Sequence, residues 1–311
     1  MLWDKFISKA KNATFLFCRD FMDYHADRFI DHSLLIFKDE NLICVFPANE
    51  NNKEIGSHDG LTYGGPIVGK DIRLPDAMKC FQSILQYYDD LGFDKMIIKS
   101  LPKIYHKMPG DEVDYLLFKV GAQLIRTDCL SVVKPGNVNY SRSRKEGIRR
   151  GKKNGLRVEE SQELDNFWRA ILIPNLREKH KSDPVHSLDE ISQLKSLFPE
   201  SIRQFNVYNK NNQIVAGTTI FESDRVVRAQ YISGNADKNS LGSLDLLHDH
   251  LLKKAFNNKD YFDFGKSNEN EGQTINEGLL FWKEGFGART IAHNYHVINP
   301  ADHVKLNGIF T

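Results

Sequence analysis

Through the second half of the chain, apolar and polar positions follow first a strand period and then a helical one. Residues 205–208 and 214–221 are β-rich runs separated by Asn209, Lys210, Asn211 and Asn212, a polar quartet that predicts a hairpin. A third strand is predicted over 226–233. After the loop 234–240, Leu244, Leu247, Leu251 and Ala255 recur at helical spacing and predict a helix over 243–256. A short strand over 261–264, a helix over 276–284 and a strand over 290–298 complete the run. The first half repeats this order in looser form. Runs at 34–37 and 42–46 flank a turn at 38–41, and a helix over 76–91 precedes a strand over 95–99.

The two halves also end in similar text. Residues 115–133 read YLLFKVGAQLIRTDCLSVV, and residues 278–298 read GLLFWKEGFGARTIAHNYHVI. Each has an apolar helix end, with Leu116, Leu117 and Phe118 matching Leu279, Leu280 and Phe281. Each then has a basic residue, a Gly-Ala turn (Gly121-Ala122 and Gly287-Ala288) and a strand. A meander followed by helix, strand, helix and strand, found twice, predicts two α/β (α+β) units. Each would be a mixed, mostly antiparallel sheet flanked by helices. Lys134, Pro135, Gly136 and Asn137 read as the linker, which sets the domains at 1–135 and 136–311. The register predicts the order strand, helix, strand for both 95–133 and 261–298.

At 311 residues the chain has room for two cores, and 41% hydrophobic with 27% charged residues is a globular composition that excludes disorder. A formal net charge of +1 excludes a global field drawing the chain onto DNA or an anionic membrane, so any polyanion contact requires a local patch. Cys18, Cys44, Cys80 and Cys129 are too far apart for a CxxC motif, and no metal is expected. Asp4, Lys5, Lys9 and Lys11 interrupt the opening residues before an apolar run reaches signal-peptide length. No later stretch approaches the roughly 20 apolar residues of a membrane span. A reduced, cytoplasmic protein without membrane insertion is expected.

Four segments, in order, resemble the FemAB-like, Fem-type double-GNAT family. They are 60–65 (GLTYGG); the basic run from Arg142 and Arg144 to Arg157; Arg177, Glu178, Lys179 and His180 with 184–187 (PVHS); and 263–267 (DFGKS) continuing into 281–288 (FWKEGFGA). The resemblance implies two tandem GNAT-like units. It also implies a nucleophilic amine, less often a hydroxyl, attacking an activated acyl carbon. The implied donor is acetyl-CoA or another acyl-CoA, or aminoacyl-tRNA as in enzymes that build peptidoglycan cross-bridges. One departure is plain. Residues 234–243 (GNADKNSLGS) lack the Arg/Gln-x-x-Gly-x-Gly/Ala loop that holds pyrophosphate in acetyl-CoA-binding members.

That loop leads into a helix, where free N–H groups and the positive end of the dipole favour an anion. Ser233, Gly234, Lys238, Asn239, Ser240, Gly242 and Ser243 are therefore the expected cofactor-binding residues, with Ser240 or Ser243 as an ordinary N-cap the plain alternative. Gly242→Val is expected to crowd the phosphate at little cost to the fold. The run 142–157 holds eight basic residues and one acidic residue, Glu146, and predicts a helix ending near 154–155. Arg142 and Arg149 are candidate contacts for a phosphate or an RNA backbone, or else lie on a solvated face. Without interleaved aromatics, base recognition is not supported.

His58, Tyr63 and His186 are the catalytic candidates. The histidines would deprotonate the amine and Tyr63 would bind acceptor or act as the acid, although histidines chosen this way are more often structural. Arg177 and His180 fall in the family segments as substrate contacts. Lys283 falls where the family binds an acceptor phosphate, so Lys283→Ala is expected to weaken acceptor binding and leave the fold intact. Its repeat counterpart, Lys119, reads as a snorkelling helix residue. Asn276 opens the same helix as ligand or cap. No Ser-His-Asp or Cys-His pairing occurs, so direct transfer in a ternary complex is expected.

The leading expectation is an N-acyltransferase moving an acyl group from acyl-CoA to an amino sugar or sugar nucleotide of a cell-surface polysaccharide. Aminoacyl transfer from tRNA to a peptidoglycan precursor stands second, because 164–199 has no room for a long helical arm of the kind that holds tRNA. A catalytically inactive glycan- or protein-binding module stands third, on the degenerate loop. DNA is not an expected partner.

Overall fold

The computed structural model describes residues 2–136 and 138–310; Asn137 of the expected linker lies outside the described residues. The chain forms two compact units. One comprises the chain up to Asp128 together with the chain from Ala292 onward, and the other is Cys129–Ile291. The expected division at 135/136 differs in both respects, because the final strand ends in the first unit.

In the first unit, β1 (Glu54–Gly56) is followed by the long helix α1 (Leu74–Asp90). Ala77, Met78, Phe81, Ile84, Leu85 and Tyr88 recur at three- and four-residue spacing and are all buried, which gives α1 its core-facing stripe. Pro75 sits in the first turn, where its missing N–H costs no helical bond. Strand β2 (Lys95–Lys99) runs parallel to β1 and pairs on its other side with 295–298 in antiparallel register. Helix α2 (Glu112–Val120) ends on Gly121 at φ 75, a left-handed cap that glycine adopts without strain. Strand β3 (Gln123–Val133) then passes from the first unit into the second.

The second unit opens with α3 (Arg142–Lys153), capped by Ser141, whose hydroxyl accepts the Arg144 N–H, and continues into β4 (Arg157–Ser161). A helical segment from Asp165 widens into a π-helical turn over Trp168–Leu172 and continues as α4 (Ile173–His180). Pro174 can donate no α-helical bond, and the wide turn before it absorbs the misfit. Helix α5 (Leu188–Leu197) carries a complete capping box between Ser187 and Glu190.

The meander follows as β5 (Ile202–Tyr208), β6 (Ile214–Glu222) and β7 (Val226–Gly234), antiparallel neighbours with β4 on the outer side of β5. The predicted hairpin is present, with Asn212 at φ 58 and the Asn209 N–H bonded to the Gln213 carbonyl. Side chains alternate across the sheet. Phe205 and Val207 join the core with Leu246, Leu247 and Leu251, while Gln204 and Thr219 form a buried polar chain with the Trp168 indole on the opposite face.

The order closes with α6 (Ser243–His250), β8 (Tyr261–Lys266), α7 (Glu277–Glu284) and β9 (Arg289–Ile298). Gly287 at φ 88 turns α7 into β9 as Gly121 turns α2 into β3, so 95–133 and 261–298 both contain the predicted strand, helix, strand. Helices α3 and α6 approach very closely. A Cβ on Gly147 would lie 1.6 Å from Asp245 Oδ2, and one on Gly151 would lie 2.8 Å from Leu246 Cβ. This contact explains two glycines in a helix that each costs about 1 kcal/mol of propensity. Among the described residues, no helix is long and apolar enough to cross a membrane.

Candidate functional site

The site begins where two parallel strands part. β7 and β8 pair only at Val226↔Tyr261, Val227↔Phe262 and Arg228↔Asp263. β7 runs on to Gly234, whereas β8 turns away and pairs with β3 through Lys266↔Leu130. Buried polar groups pin the fork. Arg228 Nη1 donates to Asp263 Oδ2 at 2.6 Å, and the Gly265 N–H, at φ 75, donates to Asp263 Oδ1 at 2.7 Å. The Lys283 ammonium closes the knot by donating to the carbonyls of Gly265 (3.0 Å) and Lys266 (2.6 Å). Burial, aided by Arg228 and opposed by Asp263, pushes the Lys283 pKa down to about 8.

Beyond the fork lies a cavity of about 580 Å³. Its apolar wall comes from Leu172 and Leu176 of the π-turn and α4, Ile232 of β7, Leu244 of α6, and Leu279, Phe281 and Trp282 of α7. Its charged lining residues are Arg144, Lys179 and Lys238, and Asn175, Ser233 and Asn239 add polar groups. Asn175 Nδ2 donates to Ser233 Oγ and to the Gly234 carbonyl, both at 2.8 Å, which ties α4 to the end of β7. Lys238 has its pKa lowered by burial and by the Lys179 ammonium beside it. Two neighbouring cations in one cavity are an arrangement that an anion relieves. Arg144 Nη1 donates to Asp245 Oδ1 at 2.5 Å and the Trp282 indole to the same oxygen at 3.2 Å. Burial pushes the Asp245 pKa up despite these two donors.

The sequence candidates divide. Ser233, Lys238 and Asn239 line the cavity, and Gly234 adjoins it through Asn175. Ser240 is exposed, with its hydroxyl on the Asp237 carbonyl. Gly242 and Ser243 are buried against α3: Gly242 has φ 72, and a Cβ there would lie 2.1 Å from the Gly147 carbonyl oxygen. The start of α6 is thus covered by α3, which corrects the expectation that a pyrophosphate rests on it and that Gly242→Val spares the fold. Arg142 is 93% exposed and paired to Glu146, Arg149 is exposed, and Arg177 is exposed and paired to Asp183 at 2.6 Å. Asn276 caps α7 by accepting the Leu279 N–H and bonds Glu269. Lys283 is 2% exposed with its ammonium committed to two carbonyls, so Lys283→Ala acts on the fold as well. The side chain of His180 lies outside the described residues.

The three catalytic candidates fall in different units. His58 and Tyr63 belong to the first unit, where both are buried, and the Tyr63 hydroxyl bonds Thr14 Oγ1 at 3.0 Å. Burial, then His25, pushes the His58 pKa down to about 3, so the ring is neutral at physiological pH. His186, in the second unit, is buried with Nδ1 2.6 Å from the Tyr231 hydroxyl. Sequence reasoning passed over Asn175, placed Lys179 and Trp282 only within family segments without a role, and did not separate Arg144 from its neighbours. A signal existed for Arg144: it shares a helical face with Ile148 and Gly151, whereas the rest of the run points out. Among the described residues no group of three or more His, Cys, Asp or Glu side chains is placed to hold a metal ion.

The paired units, each with a parallel strand pair, define a tandem GNAT-type, FemAB-like fold. The chain matches the crystal structure of FemX with TM-score 0.69 at 12% identity, over 98% of this chain and 97% of that one. It matches the C-terminal domain of a putative lysylphosphatidylglycerol synthetase from Agrobacterium fabrum with TM-score 0.61 at 12% identity, over 96% and 90% of the two chains. It matches L-PGS from Bacillus licheniformis with TM-score 0.58 at 13% identity, over 86% of each. No family model matches the sequence, and neither does any curated protein.

Proposed function

We propose that the chain is an acyltransferase of the Fem type, seating the acylated end of an aminoacyl-tRNA in the second unit's cavity and passing the acyl group to an amine. The observation that carries this reading is the parted strand pair opening onto a cavity whose charged lining is Arg144, Lys179 and Lys238. Those side chains suit the phosphates of a nucleic-acid end. The buried start of α6 removes the helix-end amides on which a CoA pyrophosphate would rest. The whole-chain likeness to FemX agrees with a Fem-type fold, and the peptidoglycan-precursor amine that the family resemblance implies is the matching acceptor. In the transfer, the amine nitrogen bonds the acyl carbon, the ester bond to the ribose oxygen breaks, and that oxygen leaves with the proton the amine gives up.

The test is single-turnover transfer from charged tRNA and from acetyl-CoA to amine acceptors. With charged tRNA, the double variant Lys179→Glu, Lys238→Glu should lose about a hundredfold or more in kcat/KM at unchanged melting temperature. That follows from about 1.5–3 kcal/mol for each hydrogen bond to a charged group. Transfer from acetyl-CoA alone would replace the donor, and no transfer from either would remove the acyltransferase reading.

A further inference from the structure

Helix α7 is built inside out. Its buried residue is Lys283, whereas Leu279 is 40% and Phe281 65% exposed, and Ile275, two residues before the helix, is 47% exposed. Burying Lys283 at the fork fixes the rotation of the helix and turns these apolar side chains to solvent. The end of α7 abuts the start of α3: the Ser141 N–H donates to the Gly285 carbonyl at 2.8 Å, and a Cβ on Gly285 would touch Arg144 Cγ at 3.0 Å. α3 presents Arg142, Lys145, Arg149, Arg150, Lys152 and Lys153 to solvent, while Gly147, Ile148 and Gly151 face α6. Glu146 is the only acid in that helix. A chain of net charge +1 therefore concentrates positive charge beside an exposed apolar ridge.

We propose that the outward side of α7, with Ile275, and the basic side of α3 form a docking surface for an anionic lipid bilayer. Phe281 and Leu279 enter the headgroup boundary, and the α3 cations meet lipid phosphates. The basic side alone would suit an RNA backbone equally. The apolar residues decide between them, because Ile275 and Leu279 have no ring on which a base can stack, and their burial calls for hydrocarbon. Docking of this kind is peripheral and independent of which acyl donor the cavity takes.

The experiment is sedimentation of the full chain with phosphatidylcholine vesicles, with and without phosphatidylglycerol, at low and high salt. Wild type should bind only the anionic vesicles and release in high salt. The double variant Leu279→Ser, Phe281→Ser should bind about tenfold or more weakly. The triple variant Lys145→Ala, Arg149→Ala, Lys152→Ala should bind on the order of a hundredfold more weakly, at about fivefold per charge. All three exposed positions outside the cavity, and the two at its rim, are judged by melting temperature as well as by binding, so a folding failure is seen directly. A Phe281→Trp variant should shift its emission to the blue on anionic vesicles. The proposal is overturned if wild type does not prefer anionic vesicles. It is equally overturned if the apolar variant binds like wild type, or if tRNA occupies this face while vesicles do not.

Discussion

The two units contain the same parallel strand pair and treat it in opposite ways. In the first, β1 and β2 pair at Glu54↔Lys95, Ile55↔Met96 and Gly56↔Ile97, and the chain then keeps the gap shut. The Ser57 N–H bonds the Ile97 carbonyl, the Gly64 N–H bonds the Lys99 carbonyl, and Gly64 bridges to Ser100. The Lys99 ammonium reaches the carbonyls of Leu61 (2.8 Å) and Asp59 (3.1 Å). The segment 57–64, with His58 and Tyr63, is thus a plug, and the hollow beside it measures about 20 Å³ against about 580 Å³ in the second unit. In the second unit no such loop closes the gap between β7 and β8 among the described residues, and Lys283 binds the base of the fork rather than its mouth. At this strand pair the first unit is packed and the second opens onto a cavity, with the segment 57–64 filling the space in the first.

The sharpest way to break the second unit is Gly242→Val, at the contact between α3 and α6. A left-handed φ and a Cβ 2.1 Å from a carbonyl oxygen should cost about 3–5 kcal/mol in urea unfolding, from strain plus overpacking. Stability within about 1 kcal/mol of wild type would mean that α3 and α6 are free to separate.

Next come the two buried lysines. Lys99→Met and Lys283→Met each leave two carbonyls without their donor and should cost about 2–4 kcal/mol by the same measurement. Comparable losses would make the two amines equivalent fasteners; a loss confined to one would end the parallel.

The smallest effect is in pH. Burial holds Lys99 and Lys283 each at about 8, below the unfolded value of about 10.4. Between these values the unfolded chain carries a proton that the folded chain lacks, so stability rises with pH there. Each lysine should contribute about 2 kcal/mol between pH 8 and 10, and each Met variant should show a shallower climb. An unchanged slope in both variants would show that neither amine gives up its proton on folding.

The element order was legible because it rests on local periodicity and turn chemistry. Asn209 to Asn212 are turn-forming residues between two β-rich runs, and Gly121 and Gly287 each take the left-handed conformation that betrays the repeat. The loop lysine Lys238 was legible for the same reason. The rest depended on contacts distant in sequence. Leu279 and Phe281 read as an apolar helix face, and only the Gly265 and Lys266 carbonyls, which claim Lys283, turn that face outward. Asn175 and Lys179 reach the cavity through a π-helical turn that no hydrophobic period announces. Gly242 looked like a phosphate loop glycine because its partner, Gly147, lies in another helix. Tyr63 stood in a family segment and His58 just before it, yet the stretch 57–64 here fills space.

The last strand bears on how the protein is made. Residues 295–298 of β9 pair with β2, and the segment after it fastens onto the first unit: Gln82 bonds Asn307 and the His303 carbonyl, Lys305 bonds the Val120 carbonyl, and Leu306 is buried. A ribosome delivers β2 and α1 long before it delivers these partners. During synthesis the first unit must wait with an open sheet edge while the second, contiguous in sequence, can close around its own core. The half of the molecule translated first is the half completed last, and for that interval its unpaired edge is the segment most exposed to chaperones and to aggregation.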